Sequence, residues 1–121
     1  DGIEDEIAAI GLPWSVTRCG ARVELQFAPN PPRTGAEAIL QIDWDLLGFI
    51  HLYLANRGVL LTPFHNMMLI SPVTEIAAID LLVSQLTSCM EELMELDDRR
   101  NKRESKRQIQ SACVADEGAE L

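Results

Sequence analysis

Few residues of this 121-residue chain have types and positions that could do chemistry, and the first candidate among them is His65. His65 lies in a predicted loop between two short strands, with an aromatic and an amide side chain beside it. Binding residues concentrate in loops, although an isolated loop histidine is more often without a function. The other histidine, His51, lies in an apolar stretch that begins at Phe49, where a buried or half-buried ring with its hydrogen bonds satisfied is expected.

The remaining reactive residue types form no recognisable site. Cys19, Cys89 and Cys113 are widely spaced and contain no CxxC pair, so neither a disulfide framework nor a zinc site is indicated, and the first two are expected to be buried. Asp43 and Asp45 resemble a solvated helix face. No serine lies in a nucleophile elbow, and no glycine-rich phosphate loop occurs. The residues alone therefore predict no catalytic, cofactor-binding or metal site.

Charge and hydropathy narrow the class of partner. The net charge is −9, and residues 1–96 carry four basic against thirteen acidic side chains. This balance argues against nucleic acid or an anionic membrane as partner, and no apolar run is long enough to span a bilayer. A first residue other than Met, within a helical pattern, indicates a truncated polypeptide, and the absence of a signal peptide predicts a cytoplasmic protein.

The elements that must position His65 follow from the apolar spacing. Val23, Leu25 and Phe27 alternate with polar residues, as in a half-buried antiparallel strand, whereas Ile76 to Leu93 follow helical spacing. The predicted elements are helices over 3–10, 36–56 and from about 74 onward, and strands over 14–18, 21–27, 59–62 and 67–70. They predict an α+β fold, a small antiparallel sheet covered on one face by helices, over residues 1–98. Residues 99–121 are a charged tail, which is expected to be disordered.

Four stretches resemble the C-terminal small domain of class III pyridoxal-phosphate-dependent aminotransferases, in particular those related to glutamate-1-semialdehyde aminomutase. Leu54–Pro72 resembles a segment near the C-terminus of these enzymes. In that segment a helix ends at an Arg-Gly or similar pair, a strand follows, and a proline-containing loop leads into the next strand. The other three stretches are Leu12–Arg22, Pro31–Gly35 and Ser71–Glu75. Together the matches cover about residues 11–96.

The resemblance implies the type I fold of pyridoxal-phosphate enzymes, a homodimer whose large domain carries the cofactor while the small domain closes over an amino acid substrate. It implies that the loop Thr62–Met67 approaches the active site. Arg18 and Arg22 also match, but strand arginines are more often structural. The residues that it assigns to the substrate pocket are Phe64, His65, Asn66 and Met67.

The only lysines are Lys102 and Lys106, both in the charged tail. Since these enzymes need a Schiff-base lysine in a preorganised pocket, the chain alone is expected to hold no cofactor and to be inert.

Three hypotheses follow. The leading one is an aminotransferase small domain separated from its large domain, with an exposed apolar face near helix 3–10 and the loop around Phe64. Its partner would be the missing large domain or a homodimer mate. The second is a stand-alone interaction module derived from such a terminus. The third is a regulatory domain for a small ligand, which requires a pocket with converging polar groups that the sequence does not reveal.

Overall fold

A three-stranded antiparallel sheet and four helices make up the part of the chain that the computed structural model describes, which is residues 2–62 and 65–117. The side chains of residues 111–117 are not included in that part. In chain order the elements are α1 (Gly2–Ile10), β1 (Ser15–Cys19), β2 (Arg22–Gln26), α2 (Gly35–Leu40), α3 (Trp44–Ala55), β3 (Met67–Leu69) and α4 (Ile76–Glu117). The chain divides into two compact units, Asp1–Met90 and Glu91–Leu121.

The sheet has the order β1-β2-β3, and its register separates an apolar face from a polar one. Val16 lies opposite Leu25, and Val23 lies opposite Met68. Successive side chains on a strand point to opposite faces, so these four residues share one face, while Arg22, Glu24 and Gln26 share the other. Leu25 and Met68 are each only 4% exposed.

Helices α1, α3 and α4 supply most of the rest of the core of the first unit. The largest fully buried apolar side chains are Ile50 and Leu54 of α3 together with Leu86 and Met90 of α4. Ile7 adds the buried side chain of α1. The predicted α+β class, a small antiparallel sheet with helices, is confirmed.

The predicted helix over 36–56 is wrong as a single element, because it breaks between Leu40 and Trp44. Asp43 has an extended backbone, and its carboxylate Oδ1 accepts a hydrogen bond from the Leu46 N–H at 2.9 Å. Asp43 is therefore the N-cap of α3, not part of a solvated helix face, and it satisfies one of the free donors of the first turn. Thr34 caps α2 in the same way, by accepting from the Glu37 N–H.

The predicted strand over 59–62 is also absent from the described residues, although burial alternates along the segment as it does in a half-buried strand. Val59 and Leu61 are 9% and 6% exposed, whereas Leu60 is 82% exposed. The Leu61 carbonyl lies 3.1 Å from Nδ1 of His51, and the Thr62 hydroxyl donates to the Met67 carbonyl. Hydrogen bonds from side chains therefore fix this segment, whereas a strand would be fixed by backbone hydrogen bonds to a neighbouring strand. His51 is half-buried and hydrogen-bonded, as its sequence context predicts.

The charged segment after Leu96 differs from the prediction of disorder, because helix α4 continues to Glu117. Ion pairs within the helix join Arg99 to Glu95 and Arg100 to Asp97, at spacings that stabilise a solvated helix. The domain boundary after residue 98 stays a prediction. Over the described residues, no helix has both the length and the hydropathy needed to cross a membrane.

The cap of α3 can be tested by substitution. We expect Asp43→Ala to lower the free energy of unfolding by about 1 kcal/mol, because the Leu46 N–H loses its acceptor. Asp43→Asn keeps an acceptor oxygen and is expected to cost much less. Urea unfolding of the two variants measures the difference, and equal losses would show that the cap bond is not the cause.

Candidate functional site

A cleft of about 510 Å³ lies between the polar face of β2 and helix α2. We call it the outer cleft. Its apolar wall includes Ile39 and Ile42, on and just after α2. Its polar lining comes mainly from strands β1 and β2. The polar residues are Thr17, Arg22, Glu24, Gln26, Gln41 and His65. One apolar wall and one polar wall suit a small molecule with both kinds of surface.

Glu24 lies between two cationic or potentially cationic groups in the outer cleft. Its Oε2 is 3.7 Å from Nη2 of Arg22, and its Oε1 is 3.8 Å from Nδ1 of His65. The side chains of Arg22 and His65 are 50% and 56% exposed, whereas that of Glu24 is 24% exposed. The site therefore presents a carboxylate flanked by two nitrogen groups that remain accessible to a ligand.

The sequence-predicted pocket residues divide between different surroundings. His65 lines the outer cleft, while Met67, the first residue of β3, lines a second groove on the first unit. Asn66, the residue between these two in the sequence, is buried, with an exposure of 1%. Phe64 lies outside the described residues. The structure thus places His65 with Arg22 and Glu24, and their assignment to a substrate pocket stays a prediction.

Asn66 combines two unfavourable features. Its φ is 44°, in the left-handed region that non-glycine residues rarely adopt, although asparagine tolerates it better than most. Both polar atoms of its side chain are buried without a hydrogen-bond partner among the described residues. Such atoms normally have partners, so this loop conformation is costly in the chain by itself.

Sequence reasoning missed Glu24 as a site residue and set Arg22 aside as a structural strand arginine. The signal was present in the alternation of β2, which places both on the polar face of the strand. What the sequence could not give was the position of His65, because that depends on the pairing of β2 with β3. The small-ligand hypothesis lacked converging polar groups at the sequence level, and the outer cleft supplies them.

The second groove, of about 360 Å³, is largely apolar, and we call it the apolar groove. It lies among residues 58–62, β3 and the start of α4. Around it, Leu60, Leu69 and Ile76 are 82%, 69% and 76% exposed. A second exposed apolar set follows α2 and α3, and comprises Ile39, Leu40, Trp44 and Leu52. In helix α1, Ile7 is buried while Ile3 and Ile10 are half-buried, so the contribution of helix 3–10 to an exposed apolar face stays a prediction.

Cysteine, lysine and metal-ligand positions add no further chemistry to the outer cleft. Cys89 is buried as predicted, but Cys19 at the end of β1 is exposed, which corrects the expectation. No group of three or more His, Cys, Asp or Glu side chains in the described part of the chain could hold a metal ion. Neither Lys102 nor Lys106 lines the cleft, so its residues do not fit pyridoxal phosphate.

Solved structures of related architecture bear on this geometry. Two structures of a glutamate-1-semialdehyde aminomutase from Pseudomonas aeruginosa PAO1, one of them a variant in complex with PMP, match 76% of this chain at 46% identity and a TM-score of 0.74. The chain resembles class III pyridoxal-phosphate enzymes. It spans 20% of the length of the aminomutase chain.

A more distant structure agrees at the level of the fold. An omega-transaminase from Sphaerobacter thermophilus matches 74% of this chain at 18% identity and a TM-score of 0.59, and again only 20% of its own length is covered. No protein-family model and no curated protein sequence matches the chain. The resemblance that the sequence predicts is confirmed by the solved structures.

The strained loop residue gives a direct test. Asn66→Gly and Asn66→Ala both remove the unpartnered amide, but only glycine adopts a positive φ without steric cost. We expect the alanine variant to unfold at a free energy about 1 kcal/mol lower than the glycine variant. Urea unfolding of both variants checks this, and an equal free energy would mean that the backbone at residue 66 relaxes.

Proposed function

We propose that this chain works as the small domain of a pyridoxal-phosphate-dependent aminotransferase or aminomutase. In this role it packs on a larger domain and closes over the substrate pocket. The observation that carries the proposal is the match itself, 46% identity over 76% of this chain within one fifth of a longer enzyme. The larger domain would supply the cofactor and its Schiff-base lysine, because the residues of the outer cleft do not fit that group.

The exposed apolar side chains support packing on a larger partner. Leu60 and Leu69 at the apolar groove, and Leu40 and Trp44 beside α2, are between 65% and 85% exposed. Isolated exposed apolar residues are ordinary, but several large ones with this degree of exposure are what an interaction surface would contain. A larger domain would bury them and gain about 25 cal/mol for each Å² removed from water.

The outer cleft supports a role in contacting the substrate. An amino acid carries a carboxylate, which suits the Arg22 guanidinium, and an ammonium group, which suits the Glu24 carboxylate. His65 adds a ring nitrogen that can donate or accept a hydrogen bond. Gln41 offers a further acceptor, because its Oε1 is buried without a partner among the described residues. Of the other predicted pocket residues, Asn66 is buried and Met67 lines the apolar groove, so the outer cleft supports a substrate contact for His65 rather than for these two.

A stand-alone interaction module is the alternative, and the same exposed apolar surface favours it. The two functions differ in the size of the native polypeptide. If the chain is a domain of an aminotransferase, an antibody to this segment should detect a protein several times larger than 13.4 kDa in the source cells. A native mass near 13.4 kDa would instead support the interaction module and a cytoplasmic protein without catalysis of its own.

Catalytic competence can be tested in a chimera. The matching fifth of the Pseudomonas aeruginosa aminomutase is replaced by this chain, and the product is assayed for bound cofactor by absorbance and for amino transfer. We expect His65→Ala in the chimera to lower kcat/KM by tenfold or more, about 1.4 kcal/mol, because a substrate contact is lost.

The matched control for that substitution is Glu75→Ala, an exposed residue that does not line the outer cleft. It should leave kcat/KM unchanged. If the parent chimera is active and His65→Ala has the activity of the control, His65 does not contact the substrate.

Packing on the larger domain has a separate test in the same chimera. We expect Leu60→Asp with Leu69→Asp to cause loss of soluble, cofactor-bound protein, because the apolar groove would then place two charges in an interface. Leu96→Asp, at an exposed leucine of α4, is the matched control. Equal yields of cofactor-bound protein from both variants would exclude this groove from the interface.

A further inference from the structure

Helix α4 carries a narrow stripe of charged residues in its solvated part. Glu91, Glu95, Asp98, Lys102 and Lys106 follow one another at spacings of four, three, four and four residues, which places them on one face of a helix. All five are exposed. We call these residues the charged stripe. Its first three members are acidic and its last two are basic.

The charged stripe is complementary in charge to a second copy of itself that runs in the opposite direction. If two α4 helices run antiparallel with their two-fold axis between residues 98 and 99, Glu91 of one lies opposite Lys106 of the other. In the same register Glu95 lies opposite Lys102, and Asp98 lies opposite Arg99. Because a two-fold axis repeats every contact, each of these three pairings occurs twice.

Part of this charge has no partner within the chain. Arg99 is paired with Glu95 at 3.3 Å, and both side chains are about 70% exposed. No ion pair or hydrogen bond of the side chains of Glu91, Asp98, Lys102 or Lys106 occurs among the described residues. A second helix in the antiparallel register would bring an opposite charge to each of these four.

We propose that this chain associates with a second copy of itself through the charged stripe, with the two α4 helices antiparallel. The contact spans residues 91–106, which is about 24 Å of helix at about 1.5 Å per residue. The proposal does not depend on the function proposed above.

A second copy suits the stripe better than a partner of uniform charge. A polyanion would meet three carboxylates at one end of the stripe, and a polycation would meet two lysines at the other. The net charge of −9 also disfavours polyanions in general. The same stripe in reverse pairs Glu91 and Glu95 with Lys106 and Lys102, and such charge complementarity gives specificity to weakly bound charged surfaces.

The experiment is sedimentation velocity on the full chain at about 0.1 mM protein, at salt concentrations from about 0.02 M to about 0.5 M, a range over which the screening length falls from roughly 20 Å to roughly 4 Å. We expect the mass to approach twice 13.4 kDa at low salt and to return to 13.4 kDa at high salt. Association that strengthens with salt would be apolar and would overturn the proposal, as would a monomer at every salt concentration.

Charge reversal identifies the surface. Lys102→Glu with Lys106→Glu makes the stripe wholly acidic, and Glu91→Lys with Glu95→Lys makes it basic at every position except Asp98. Each double variant should stay monomeric at low salt, whereas an equimolar mixture of the two should form a dimer, because opposite stripes then face each other.

The matched control is Arg103→Glu with Arg107→Glu, which makes the same change in net charge on another side of the same helix. It should retain the salt-sensitive dimer, and circular dichroism should show unchanged helix content in all three double variants. Loss of the dimer in this control to the same degree, or failure of the mixed variants to associate, would show that the charged stripe is not the contact.

Discussion

Strand β2 has one apolar and one polar face, and the candidate site depends on this constraint. Val23 and Leu25 must face the core, so the pairings with β1 and β3 have only one register that buries them. A slip by one residue would bury Glu24 and expose Leu25, a change in which every side chain of the strand exchanges its surroundings. The same register fixes Arg22 and Glu24 on the polar face and brings the loop before β3 beside them. The position of His65 is therefore a consequence of where Leu25 is buried.

The break between α2 and α3 completes the cleft. An unbroken helix over 36–56 would carry α2 along the axis of α3, whose buried side chains Ile50 and Leu54 hold it in the core. Because α3 begins anew at the Asp43 cap, α2 can take a different direction and cover the polar face of β2 with Ile39 and Ile42. An apolar wall thus faces the charged residues of the sheet. One capping carboxylate changes a long core helix into a core helix and a cleft wall.

The elements that could be predicted from the sequence are those that produce a local periodicity of apolar residues. The half-buried antiparallel strand β2 and the amphipathic part of α4 follow from spacing, and the resemblance to aminotransferases follows from short matched stretches. The break at Asp43 was not predictable in this way, because Ile39, Ile42 and Leu46 keep helical spacing across it. The segment 59–62 alternates like a strand, but a strand also needs a neighbouring edge, which periodicity cannot reveal. The cluster of Arg22, Glu24 and His65 depends on a pairing between distant parts of the chain, for which local patterns carry no information.

Two neighbouring residues of the chain, His65 and Met67, line different surfaces of the first unit, and the residue between them has an unfavourable conformation. His65 lines the outer cleft and Met67 lines the apolar groove. Asn66 between them is buried in a left-handed conformation, and its amide has no hydrogen-bond partner among the described residues. A chain that folded only for its own stability would gain by replacing such a residue, since an unsatisfied buried amide costs about 1–3 kcal/mol. Backbone strain concentrates where the surrounding structure and the function require it. The exposed leucines of the apolar groove point the same way, because they too are unfavourable in the chain by itself and favourable once covered. In the proposed role, a larger domain that covered the apolar groove would remove these leucines from water and so offset their cost.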